Sequence, residues 1–254
     1  MSDQNGAVHL SIENHIGTIE FYHPKGNSLP GAILRKLANT ITEAGANVDI
    51  NVIVIKSTGE GAFCAGASFD ELIAIEDFET GKEFFSGFAL VLNAMRTSQK
   101  LIIVRVHGKT VGGGVGIASA GDYTFAKAGS SIKLSELALG IGPFVVGPAV
   151  ERKVGTSAFA ALAIDATNWY SSDWALEHGL FNQVHETTAA LDEAISALAT
   201  QLAKSSPEAM LELKQVLWKD AYEWDNLLEQ RAEISGRLVL SEYTKNFIQK
   251  FKNK

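Results

Sequence analysis

Leu101-Ile102-Ile103-Val104-Arg105-Val106-His107-Gly108-Lys109-Thr110-Val111-Gly112-Gly113-Gly114-Val115-Gly116-Ile117-Ala118-Ser119-Ala120-Gly121 is the stretch that decides the fold class. Its start is a continuous apolar run, suited to a strand covered on both faces. From Val111 onward nearly every residue is small, the composition of a backbone that must approach something closely. A dinucleotide fingerprint fits poorly, because Gly114-x-Gly116 is followed by Ser119 rather than Gly and no acidic partner is placed at a second strand end. A phosphate-binding loop fails as well: Gly108-Lys109-Thr110 has the right ending, but Ile103 stands where the first Gly belongs. What remains is a tight loop opening a helix, whose free N–H groups and positive dipole end can face a developing negative charge, against a bland contact between helices made of small residues.

Outward from this stretch, Val52-Ile53-Val54-Ile55 is a second apolar strand, while Val8 to Ile12 and Ile16 to Phe21 alternate apolar with polar residues. Ile33, Leu34, Leu37, Ile41 and Ala44 recur at helical spacing after Pro30, and Lys82 to Met95 repeats the pattern. Strand, helix and strand in alternation predict an α/β fold. After about residue 187 the chain turns helical over 189–203, 207–217, 227–240 and 242–251. No linker rich in Pro, Gly or Ser intervenes, so the expected organisation is a core over 1–186 and a C-terminal helical region over 187–254, packed on the core or on a neighbouring subunit.

Composition bounds the function. The chain has 254 residues with 22 Lys and Arg against 29 Asp and Glu, a net charge of −7 that argues against a nucleic-acid footprint. The longest uncharged apolar run lies between Glu136 and Glu151 and is broken by Gly140, Gly142, Pro143, Gly147 and Pro148, so no membrane span is expected. The N-terminus lacks the basic and apolar regions of a secretory signal, and a cytoplasmic location is the default expectation. A single Cys64 can form neither an internal disulfide nor a multi-thiolate metal site, and the six His residues show no His-x-x-x-His pair. No Gly-x-Ser-x-Gly elbow is present, which disfavours an α/β serine hydrolase.

A second small-residue loop, Gly59-Glu60-Gly61-Ala62-Phe63-Cys64-Ala65-Gly66-Ala67-Ser68-Phe69-Asp70-Glu71-Leu72, follows the strand at 52–56. Two such loops after neighbouring strands could supply two convergent backbone donors, the geometry of an oxyanion hole. With Ala62 to Leu72, Val106-His107-Gly108-x-x-Val111-Gly112-Gly113-Gly114, His23-Pro24-Lys25-Gly26-Asn27-Ser28-Leu29, Gly121-Asp122-Tyr123, Ser135-Glu136-Leu137-Ala138-Leu139-Gly140, Ala175-x-x-x-Gly179-Leu180-Phe181-Asn182 and Phe247-Ile248-Gln249-Lys250 in register, the chain resembles the enoyl-CoA hydratase/isomerase (crotonase) superfamily over nearly its whole length.

The resemblance implies a spiral of ββα turns forming two sheets, a C-terminal helical region, a homotrimer or dimer of trimers, and an acyl-CoA thioester as ligand. No metal or redox cofactor is implied, since coenzyme A arrives as part of the substrate. Oxyanion donors fall on the N–H groups of Ala67 and Gly113. Ala65 and Phe69 fall in the substrate-binding loop. Lys25, with Phe247 and Lys250 from a neighbouring chain, matches positions that contact the nucleotide part of coenzyme A, while Ser68 and Asp70 depart from the family's Gly-Ala-Asp-x-Lys run. The family's hydratases use two glutamates; one matches Glu136, but the other falls on Gly116, which can neither activate water nor move a proton. Glu136 alone suits a 1,3-proton shift, so an enoyl-CoA isomerase is the leading expectation. A hydratase, dehydratase or decarboxylase of the same family is the alternative, with Glu71 or Asp70 as substitute carboxylates. A non-catalytic acyl-CoA-binding homologue is the reading from another class. The far wall of the pocket is expected from 73–95 and 143–148.

Overall fold

A computed structural model describes residues 5–252, with side chains to Lys250. The chain opens with a hairpin of β1 (Ala7–Glu13) and β2 (Ile16–Tyr22), turned by Asn14 and His15. Then come α1 (Gly31–Ala46), β3 (Val52–Ser57), the single turn α2 (Phe69–Leu72) and α3 (Phe78–Thr97). β4 (Leu101–Val106), β5 (Thr110–Val111), α4 (Gly113–Ala120), β6 (Tyr123–Lys127), β7 (Ser131–Lys133) and α5 (Gly147–Ile164) follow. β8 (Tyr170–Ser171), α6 (Ser172–Glu177) and β9 (Gln183–His185) lead into α7 (Thr188–Ala203), α8 (Pro207–Leu217), α9 (Trp224–Leu238) and α10 (Glu242–Lys252).

One sheet runs β1-β2-β3-β4-β6-β9, parallel except for the first hairpin; the other runs β5-β7-β8. Each turn of chain leaves a strand of the large sheet, touches the small one, and returns through a helix. β4 does so through β5 and α4, β6 through β7, α5 and β8 before α6 returns the chain to β9, and β3 through Cys64, which bridges to Thr110. This is the ββα spiral that the resemblance implies. The apolar runs in β3 and β4 follow from their position: Ile53, Ile55, Ile102 and Val104 face the main core, whereas Val52, Val54 and Ile103 pack under α7 against Leu191, Ile195 and Ala199. With alternate side chains buried on opposite faces, no position is left for a polar residue.

The C-terminal helices pack on their own core. α7 covers the outer sheet face, and α9 lies along α3 so closely that a Cβ on Gly81 would sit 3.0 Å from the Gly236 carbonyl oxygen. Lys82 joins the two helices through Glu229 and Glu233, each at 2.8 Å. α8 is fixed by Asp122, whose carboxylate accepts from Lys214 Nζ (2.8 Å), Trp218 Nε1 (2.7 Å) and the Ile102 N–H (2.7 Å).

Several boundaries differ from the periodicity. α3 starts at Phe78 rather than Lys82 because Asp77 caps it, accepting from the Thr80 N–H while Thr80 returns the contact in a reciprocal box. α9 spans Trp224–Leu238 rather than 227–240. α5 was not expected as a helix: its glycines and prolines hide the repeat, and Gly155, at φ 77°, breaks its helical dihedrals midway.

Candidate active site

At the end of β5 the backbone turns through Gly112 at φ 51° and ψ −113°, and its N–H donates to the Lys133 carbonyl at 2.9 Å. A Cβ at Gly112 would fall 2.8 Å from Glu136 Oε1. Both the dihedral and the close approach demand glycine here. The next residue begins α4, and a Cβ on Gly113 would lie 2.1 Å from the Phe88 ring. Gly114 rests on Cys64 in the same manner, with 2.7 Å to its carbonyl oxygen. The small-residue run is therefore what lets a helix start wedge between a carboxylate, an aromatic ring and the neighbouring loop.

That neighbouring loop is tied on by the Val111 N–H, which donates to the Cys64 carbonyl at 2.9 Å. Beyond Cys64 the chain runs beside Leu29: the Leu29 N–H donates to the Gly66 carbonyl (2.8 Å) and the Ser68 N–H to the Leu29 carbonyl (3.0 Å). Ala67, held between them, accepts at its own carbonyl from Ser28 Oγ at 2.8 Å. Its N–H and that of Gly113 have no hydrogen-bond acceptor among the described residues. Ala67, Gly113 and Glu136 line one cavity of about 630 Å³, within the usual range for small-molecule sites.

Glu136 enters this cavity from the turn after β7. Its carbonyl is used by the N–H groups of Leu139 (3.1 Å) and Ile141 (3.0 Å), which fixes the backbone beneath the side chain. The carboxyl oxygen Oε2 is buried without a hydrogen-bond partner among the described residues. Burial pushes its pKa up to about 7, with a backbone hydrogen bond opposing only in part. A carboxyl poised there can take a proton near neutrality and hand it back.

The other expected residues divide. Ala65, Phe69 and Phe247 line the cavity; Lys25 and Lys250 do not. Lys25 is exposed and paired with Asp70. Phe247 reaches the cavity of its own chain. α10 is seated there by buried Ile248, which packs with Leu72, Ile141 and Val239, and by Tyr243 and Thr244, which occupy the space beside Gly140. Lys250 lies exposed on the same helix.

Neither substitute carboxylate reaches the cavity. Glu71 accepts from the Gly31 N–H at 2.8 Å, and Asp70 is taken by Lys25. Gly116 does not line it: a Cβ there would meet Val146 Cγ1 at 2.7 Å, so Val146, itself in the cavity wall, fills the volume that a side chain at 116 would need. Among the described residues Glu136 is the only carboxylate lining the cavity. The far wall is aromatic and apolar, with Phe84, Phe85 and Phe88 from α3 and Phe144, Val145 and Val146 before α5. The segments were foreseeable, but not which faces turn inward, because α3 is also apolar where it meets α1 and α9. Ser235 of α9 and Lys133 of β7, also in the lining, had no signal in the sequence. Cys64 is buried, its thiol pushed up to about 12, and so inert. No three His, Cys, Asp or Glu side chains gather as a metal site requires among the described residues, and no helix there is long and apolar enough to cross a membrane.

A two-sheet ββα spiral enclosing a cavity with two unpaired amides and one buried acid defines a class, and comparison with known proteins agrees with it. The enoyl-CoA hydratase/isomerase family model matches residues 11–252, and the chain belongs to that family. It is 28% identical over 251 residues to a Bacillus subtilis (strain 168) protein named "Probable enoyl-CoA hydratase", covering 98% of this chain and 96% of that one. It is 27% identical over 210 residues to the carnitinyl-CoA dehydratase of Proteus mirabilis (strain HI4320), covering 83% and 79%. The crystal structure of an enoyl-CoA hydratase from Bacillus halodurans superposes with a TM-score of 0.89 at 21% identity, covering 96% of this chain and 99% of that one, which is a likeness of fold.

Proposed function

We propose that the cavity takes the acyl end of an acyl-CoA thioester, with its carbonyl oxygen received by the N–H groups of Ala67 and Gly113, and that Glu136 moves the proton. When the carboxylate removes a proton from the α carbon, the electron pair passes to the thioester oxygen. The two amides stabilise that oxyanion, an interaction worth about 2.7–4 kcal/mol per donor in other enzymes. Return of the proton from Glu136 to the γ carbon of a 3-enoyl thioester re-forms the carbonyl and leaves the 2-enoyl isomer. The observation that carries this reading is the lone buried carboxyl, unpartnered at Oε2, in a cavity with no second acid among its described lining.

A second reading, hydration or dehydration, is favoured by the names of several relatives, among them hydratases and a dehydratase. It would require Glu136 to serve both water and the α carbon. Supplying 3-enoyl-CoA and 2-enoyl-CoA separately tests the two: isomerisation of the first is expected, and water addition to the second without isomerisation of the first would overturn the isomerase reading. The homotrimer or dimer of trimers that the resemblance implies belongs to this reading, and light scattering would check it.

A further inference from the structure

A second chamber of about 290 Å³ adjoins the cavity, and Pro143 and Phe144 belong to the walls of both. Phe144 is half-buried, and its ring fills the space beside Gly142, where a Cβ would meet it at 2.7 Å. Gly142 stands at φ 126°, so the glycine and the ring hold each other in place. Beyond the ring the chamber continues with Gly147, Pro148, Phe159 and Ala163 of α5, and Glu151 and Arg231 complete its lining. At about 30 Å³ for a water-sized group, it has room for several methylenes.

We propose that Phe144 is the specificity-determining partition of this site: it stops the acyl chain at the end of the first cavity, and the second chamber is a chain extension closed by that ring. The proposal rests on the acyl-CoA reading above and is independent of which reaction follows. A chain reaching the ring gains nothing from further methylenes while the wall stands. Once the wall is removed, the added length runs along Pro148, Phe159 and Ala163, and against a hydrophobic wall one methylene can be worth about ten-fold.

The test is the dissociation constant of unreactive saturated thioesters, butyryl-, octanoyl-, lauroyl- and palmitoyl-CoA, for the full-length protein. Wild-type affinity is expected to level off along the series. Phe144→Ala is expected to tighten the longer members by about ten-fold or more relative to butyryl-CoA, and Ala163→Trp added to it should remove the gain by filling the chamber. Phe144→Leu keeps an apolar wall and should give an intermediate profile, so a poorly folded alanine variant would not leave the matter open. Parallel profiles for wild type and both Phe144 variants, or a wild-type affinity that climbs through palmitoyl-CoA, would overturn the partition. Wild-type protein that binds none of the series would instead sink the acyl-CoA reading, and the partition with it.

Discussion

Asp122 and Glu136 are both carboxylates removed from solvent, and the fold treats them in opposite ways. Asp122 lies under α8 with three donors at 2.7–2.8 Å, one of them the buried Lys214 ammonium. Glu136 faces a cavity, with one carboxyl oxygen unpartnered among the described residues and its pKa raised to about 7. An acid surrounded by donors is part of the scaffold, whereas an acid left wanting a proton is ready for a substrate to supply one. The two lie at opposite ends of one short helix, since Asp122 follows the C-terminal end of α4 while Glu136 sits against Gly112 at its N-terminal end.

The largest expected effect separates the two by function. Glu136→Gln should lower kcat by about 10²–10⁴-fold, the usual weight of a positioned acid–base group, while melting temperature holds or rises. Retained turnover would show that Glu136 is not the proton carrier. Asp122→Ala should do the reverse, costing about 3–5 kcal/mol in denaturant unfolding because Lys214 is left buried without its partner, with turnover per folded molecule kept.

The pH dependence sharpens the contrast. Glu136 holds its proton more tightly folded than unfolded, so its favourable contribution is complete below its ordinary pKa of 4.5 and is lost as pH rises to about 7. At about 1.4 kcal/mol for each pH unit, wild type should lose about 3 kcal/mol across that window relative to Glu136→Gln. Turnover should rise through the same range as the base ionises, and a turnover profile flat between pH 5 and 8 would contradict the assignment. The smallest expected effect concerns the position that carries no acid: Gly116→Ala should cost about 1–3 kcal/mol by crowding Val146, with activity retained and Val146→Ala restoring stability.

Much of this was legible in the residues. The apolar runs of β3 and β4 read as strands with both faces covered, and the small residues at 111–121 read as a backbone that approaches something closely. What the approach was made to, Phe88 under Gly113 and Glu136 beside Gly112, depends on contacts between segments far apart in sequence, which local pattern does not encode. α5 was hidden for a related reason, since its helix is held by packing rather than by a repeating apolar face. Phe247 is matched to the site by resemblance, whereas its place in the cavity wall follows from the burial of Ile248 and the fit of Tyr243 beside Gly140.

The central claim is that Glu136 exchanges the α proton of a thioester whose oxygen sits on two backbone amides. Incorporation of deuterium from solvent at the α carbon of an acyl-CoA, followed by NMR with wild type and Glu136→Gln, tests it most directly. Exchange by wild type that is lost in the variant is the expected result. Exchange that persists undiminished in the variant, or that wild type never catalyses, would contradict it.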